Sequence, residues 1–301
     1  MKKNVLFRWL PVMVVAFLSA GFVSCTDQDE PEYYEALPAP SYAEYSGRYD
    51  LTNPAESEKY EFSTIEITEN GEFVVLNKDT VKYYGKIYVD GANKKYISLE
   101  NFGKIATNGS KTSLEVIPDS KCNIKWKSDG QEFTVEIKEI VPRTANELTV
   151  DLCRAWTFNK IRFVGKAAGK KVYDDSFALT KENVAVIESK LGNSIGLGYD
   201  KELGFPDHIS FTKTGSVFMF YRSNGQFLVK AGSWDWVVMN TPQDPEYKNE
   251  LTFSTEFDKP RAAGSVRLHP RFGGNLVQLI FMEYYSKDLV NVESSLYMSQ
   301  L

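Results

Sequence analysis

Ile65-Glu66-Ile67-Thr68-Glu69-Asn70-Gly71-Glu72-Phe73-Val74-Val75-Leu76 is the stretch that decides the fold. Apolar and polar side chains alternate up to Thr68, the pair Asn70-Gly71 follows, and an apolar run resumes at Phe73. A period of two places successive side chains on opposite faces of a strand. Asn-Gly supplies the left-handed backbone that a tight hairpin turn requires. The segment therefore predicts two antiparallel strands. The same rhythm recurs outward from it, with runs at 60–68, 72–76, 81–89, 95–100, 113–117, 122–126 and 132–140 and further turn pairs at Asp90-Gly91, Asn108-Gly109 and Asp129-Gly130. Residues 46–141 are expected to form an antiparallel, barrel-like β domain.

Pro142 ends the last of these runs, and Thr144 with Glu147 has the spacing of a capping box opening a short helix through Leu148 and Leu152. The domain boundary is placed here, so residues 142–301 form a second domain. A helix is predicted over 181–191, where Val184, Ile187 and Leu191 share a face and Gly192 follows as a cap. From Ile209 the chain reads as strands nearly to its end. Ile209-Ser210-Phe211-Thr212-Lys213-Thr214-Gly215 reads like Ile65 to Gly71. Gly232 matches Gly85, Leu251-Thr252-Phe253 matches Ile97-Ser98-Leu99, and Leu152-Cys153-Arg154-Ala155-Trp156 stands where Gly47-Arg48-Tyr49 opens the first half. A duplicated unit, with a helical insertion in the second copy, is the expectation.

Ahead of the first domain lie a basic start (Lys2, Lys3, Arg8), an apolar run at 9–23 interrupted by Pro11, and Ser24-Cys25. That is the layout of a secretory leader cleaved before Cys25, with residues 1–24 removed and 25–45 left as an acidic, proline-containing tether. Phe22-Val23-Ser24-Cys25 resembles the lipobox of Gram-negative lipoproteins, and Thr26-Asp27-Gln28-Asp29-Glu30-Pro31-Glu32 resembles the acidic export segment of Bacteroidota surface lipoproteins. The resemblance implies lipidation of Cys25 and anchoring in the outer membrane, facing the cell surface. Loss of Lys2, Lys3 and Arg8 leaves 32 basic against 40 acidic residues, a formal charge of −8. Such a chain lacks the basic stripe that displaces phosphate counterions, which argues against nucleic-acid binding.

Leu152 to Trp156, followed by the I-x-F-x-x-x-G segment at 209–215 and Gly232-Ser233-Trp234, resembles the lipocalin-like domains of Bacteroidota lipoproteins. Arg154 stands two residues before the tryptophan, where a lipocalin carries glycine, and Tyr49 replaces the tryptophan in the first half. The resemblance implies an all-β chain of two tandem antiparallel lipocalin-like barrels, with a short helix at the junction.

Motifs with chemical form are sparse. Gly192-Asn193-Ser194-Ile195-Gly196 matches a nucleophile elbow, but that elbow needs a strand before it and a parallel sheet around it, and here a helix precedes it. His208 and His269 are far apart in sequence, as are Cys122 and Cys153, so no metal site or cofactor is indicated. In an oxidising compartment the two cysteines are free to pair or to stay as buried thiols. Asp174-Asp175 reads as a solvated loop. Asp79-Thr80-Val81 resembles the O-glycosylation acceptor of exported Bacteroidota proteins, which makes Thr80 a candidate glycan site.

Phe218 and Phe220 lie two apart on one strand, and Trp234 and Trp236 two apart on the next. If their faces coincide, the four form a candidate ligand-binding surface. The leading expectation is a non-enzymatic, surface-anchored binding or scaffold module for a small hydrophobic ligand. The alternatives are an outer-membrane glycan-binding accessory protein and a structural or inhibitory subunit that binds another protein.

Overall fold

The computed structural model describes residues 42–89, 97–104, 114–117, 123–128, 131–142, 148–168, 170–191, 199–200, 202–223, 226–237, 250–262, 265–273, 275–283 and 290–301. Cys25, Cys122, Ser194 and the capping-box residues Thr144 and Glu147 lie outside them.

The first unit is a closed antiparallel barrel of eight strands in sequential order. They are β1 (Gly47–Leu51), β2 (Thr64–Ile67), β3 (Glu72–Asn77), β4 (Thr80–Val89), β5 (Ile97–Lys104), β6 (Leu114–Ile117), β7 (Asn123–Ser128) and β8 (Gln131–Ile140), and β8 returns to pair with β1. Closure removes the unpaired strand edges that invite aggregation. The run expected as strand from residue 60 starts four residues later. Asn53 caps a turn of 3-10 helix at Pro54–Glu56 that continues into α1 (Ser57–Tyr60), and Glu61 then turns left-handed at φ 57°. Proline at a first helical position, behind an Asn cap, outweighs the strand preference of Tyr60.

After α2 (Thr149–Leu152) the second unit is a nine-stranded antiparallel sheet. It comprises β9 (Ala155–Ala167), β10 (Lys170–Ala178), β11 (His208–Phe211), β12 (Ser216–Ser223), β13 (Gln226–Trp236), β14 (Leu251–Ser254), β15 (Val266–Gly273), β16 (Leu276–Glu283) and β17 (Val290–Gln300). β17 also pairs with β9 from Trp156 to Ala167, so every strand but β10 belongs to one ring. The expected helix is α3 (Val184–Leu191), entered through a 3-10 turn at Lys181–Asn183. Its Ile187 is fully buried in a cluster with Ile161 and Phe163 of β9. Asp174 and Asp175 are strand residues rather than loop. Asp174 stands opposite Val164 in the β9–β10 hairpin, and Arg162 grips its carboxylate through two bonds of 2.7 and 2.8 Å, which holds that carboxyl well below the usual range.

The duplication read in the sequence is present in the strand register. Tyr49 pairs with Ile65 as Trp156 pairs with Ile209, Phe73 with Gly85 as Val217 with Gly232, and Ile87 with Leu99 as Trp234 with Phe253. The turns agree as well. Gly71 N–H donates to Thr68 O and Gly215 N–H to Thr212 O, with both glycines left-handed at φ 76° and 89°. Inside the second unit, Trp156, Phe211, Val217, Met219, Trp234 and Phe253 belong to one buried core.

Candidate functional site

The two units meet along their equivalent hairpins. Strand alternation sends Val217, Met219 and Tyr221 into the second unit's core and turns Phe218 and Phe220 outward. There they are buried with Val74, Leu76, Val81 and Tyr84 of the first barrel, together with Val229, Ala231 and Phe257. The Tyr84 ring meets Phe220 edge-on at 6.3 Å, and its hydroxyl donates to Phe227 O at 3.0 Å. The seam has approximate two-fold character: in the repeat Val74 is the counterpart of Phe218, and Leu76 of Phe220.

Polar pairs flank this apolar patch. Glu72 accepts from the Ser210 hydroxyl at 2.8 Å and lies 3.0 Å from His208 Nε2, while the imidazole stacks on Phe220 at 4.2 Å. Glu66 accepts from Thr212 at 2.5 Å and from Thr214 through the same Oε1, and Glu69 Oε1 accepts from Lys213 N–H at 3.1 Å. The Asn70 side chain accepts from Ala155 N–H at 3.1 Å. At the rim Arg48 bridges Asp50 and Asp258 and lies over the Phe257 ring. Ser210 donates to a carboxylate rather than to the imidazole, so this Ser, His and Glu form a structural link and not an activated nucleophile.

Beside these groups is a cavity of about 150 Å³, walled by Ser46, Glu66, Glu69, Thr212, Lys213 and Thr214 among others. Glu66 and Glu69 are 0% and 1% exposed. Burial raises both carboxyls, Glu69 to about 7, against the lowering effect of their hydrogen bonds and of Arg48 on Glu66 and Lys213 on Glu69. Their second oxygens, Oε2 in each case, are buried with no hydrogen-bond partner.

The four aromatics expected to share a ligand face do not. Phe218 and Phe220 belong to the seam, whereas Trp234 and Trp236 face the other way, into the second unit. The two indoles meet edge to face at 5.6 Å. Trp234 Nε1 donates to Thr212 O at 3.0 Å and Trp236 Nε1 to Thr149 Oγ1 at 3.0 Å. Pairing explains the split: Phe218 stands opposite Ala231 and Val217 opposite Gly232, so residues of opposite parity on the two strands share a face, and Gly232, Trp234 and Trp236 therefore fall on the Val217 side. Arg154, in the glycine position of the resemblance, is fully buried. It donates to Asp151 O at 2.8 Å and Val150 O at 3.1 Å and lies 5.8 Å from the Trp156 ring. Thr80 is exposed at the start of β4. Cys153 is a buried free thiol whose pKa burial pushes well up, and His269 is buried and shifted down by burial. Glu66, Glu69 and Glu72 were not singled out by sequence reasoning. The available signal was a glutamate at every third position around a predicted turn, two of them in strands that otherwise read as apolar.

The chain matches no family model and none of the curated proteins compared with it.

Proposed function

We propose that this protein is a non-enzymatic lipoprotein, anchored through Cys25 in the outer membrane and facing the cell surface, in which two lipocalin-like barrels act as one rigid scaffold. The seam carries this reading. Phe218 and Phe220, the aromatics best placed to meet a ligand from outside the second unit, are spent on contact with the first, and Trp234 and Trp236 help fill the interior. That supports a platform whose outer surface and loops engage a protein partner over a carrier of small hydrophobic molecules. An acidic tether from Cys25 would hold the platform clear of the membrane, with Thr80 available for a glycan.

Two measurements on cells producing the full chain test this. Cys25→Ala should abolish incorporation of radiolabelled fatty acid and release the protein from the outer membrane. Gentle detergent extraction followed by native mass spectrometry should give the lipidated polypeptide without stoichiometric apolar cargo, and cross-linking on intact cells should trap a protein partner. A stoichiometric apolar molecule would overturn the scaffold in favour of carriage, and unchanged membrane retention in the Cys25 variant would overturn the anchor.

A further inference from the structure

The bonds that hold Glu66 and Glu69 run across the seam in one direction. Both carboxyls belong to the first unit, and the donors that reach them from the second are neutral: the Thr212 and Thr214 hydroxyls for Glu66, and Lys213 N–H for Glu69. Both side chains are almost wholly buried, and one oxygen of each has no hydrogen-bond partner. Among the described residues no Lys or Arg side chain bonds either of them. A carboxylate held in this way is costly to charge, because neutral donors on one oxygen do not replace the water that both have given up.

The charged groups around them do not make up the difference. Arg48 stands opposite Glu66 on β1, but its guanidinium is committed to Asp50 and to Asp258 of the second unit. Lys213 lines the cavity beside Glu69 and lowers its carboxyl only in part, since burial still leaves it raised, and Glu66 adds to the rise. Cys153, close enough to feel both glutamates, is held as a thiol by burial, and Arg154 next to it is bonded to backbone carbonyls. Farther along the seam Glu72 faces His208 and Ser210, with Lys86 opposite it on β4 and Asp207 and Arg222 beyond the imidazole. Glu44 is exposed on the segment whose Tyr42 N–H donates to Glu69 O. Ionising Glu66 and Glu69 therefore adds negative charge that none of these cations is placed to pair. Each unit has its own strand ladder and core, whereas the donors to the two carboxyls are present only while the units are docked, so the strain falls on the seam.

We propose that the seam is a pH-operated joint, closed while Glu66 and Glu69 carry protons and opened, with each unit still folded, once they ionise. Opening hydrates the two carboxylates and bares the apolar patch of Phe218, Phe220, Val74 and Leu76. A carboxyl that titrates near 4.5 in water and at about 7 in the closed seam favours closure fully below pH 4.5, and that contribution is lost as pH rises past 7. This is independent of the anchor and of what the scaffold engages, and it confines the scaffold's rigidity to the closed state.

The test is hydrogen exchange of the full chain, resolved to single amides and corrected for the intrinsic pH dependence of exchange. Ala155 N–H donates to the Asn70 side chain across the seam, whereas Ile87 N–H donates to Gly71 O inside the first unit and Trp234 N–H to Gly215 O inside the second. From pH 5 to pH 8.5 the protection of Ala155 should fall about 70-fold through Glu69 alone, and further through Glu66, while Ile87 and Trp234 keep theirs. Glu66→Gln and Glu69→Gln should each flatten the decline, Glu69→Gln by that factor. If a glutamine variant does not fold, small-angle X-ray scattering of the unsubstituted protein decides the matter: its radius of gyration should rise reversibly between pH 5 and pH 9 at constant far-UV circular dichroism. Ala155 protection that does not change with pH, a parallel fall at Ile87 and Trp234, an undiminished decline in both variants, or a constant radius of gyration would overturn the proposal.

Discussion

Replacing Glu69 by Gln should remove about 3 kcal/mol from the stability that the protein loses between pH 4 and pH 8. Glu69 belongs to the polar pairs that flank the apolar patch of the seam, and burial lifts its carboxyl from the ordinary 4.5 to about 7. That difference of about 2.5, at about 1.36 kcal/mol per pH unit, corresponds to about 3 kcal/mol. The folded state therefore holds the proton more tightly than the unfolded chain. This contribution is fully present below pH 4.5, declines as pH rises, and is lost once pH passes 7. Glu66, raised by the same burial, steepens the decline. Gln retains an oxygen to accept from Lys213 N–H and has no charge to desolvate. Its amide places unpartnered donors at the Oε2 position, but that cost is the same at every pH and cancels in the comparison. Urea unfolding of both proteins from pH 4 to pH 8.5, with EDTA present throughout, reads the effect directly. Parallel stability profiles, separated by a constant amount across the range, would refute the reasoning and show that Glu69 titrates alike in the folded and unfolded chains.

Two further substitutions test the packing. Phe220→Ala removes a side chain buried against Tyr84, His208 and Phe227, and should cost about 3–5 kcal/mol as a large core truncation. Differential scanning calorimetry should show the loss as a lowered midpoint with the two units unfolding separately, whereas a near-neutral effect would return Phe220 to an open ligand face. Gly232→Ala places a Cβ 2.4 Å from the Ser254 carbonyl oxygen, a backbone atom in a paired strand, and should cost about 1–3 kcal/mol by overpacking. A midpoint equal to that of the unsubstituted protein would show that the β13–β14 spacing is looser than described.

The hairpins and the repeat were readable because they rest on local chemistry. A period of two, Asn70-Gly71 and Gly215 specify a strand, a turn and a strand wherever the chain goes next, and copies of one pattern adopt one register. The helix over 184–191 was readable for the same reason, through its apolar face. The β9–β10 hairpin was missed: Lys166 to Lys171 gives a charged, small-residue turn with Ala168 at φ 48° and no Asn-Gly signal, so Asp174 looked like loop.

Which way a face points is a different kind of question. The sequence by itself determined that Phe218 with Phe220, and Trp234 with Trp236, share a face within each strand, because side chains alternate along any strand. Only the tertiary structure decided that the phenylalanines meet the first barrel while the tryptophans fill the second unit, since that depends on the β12–β13 register and on which surface of one sheet docks against another. The carboxylates follow the same rule. Glu66 and Glu69 are polar positions beside a turn in the sequence, and they are buried because a second hairpin, more than a hundred residues away in the chain, closes over them. Burial and the pKa shifts that follow from it are properties of long-range packing, which a local pattern does not encode.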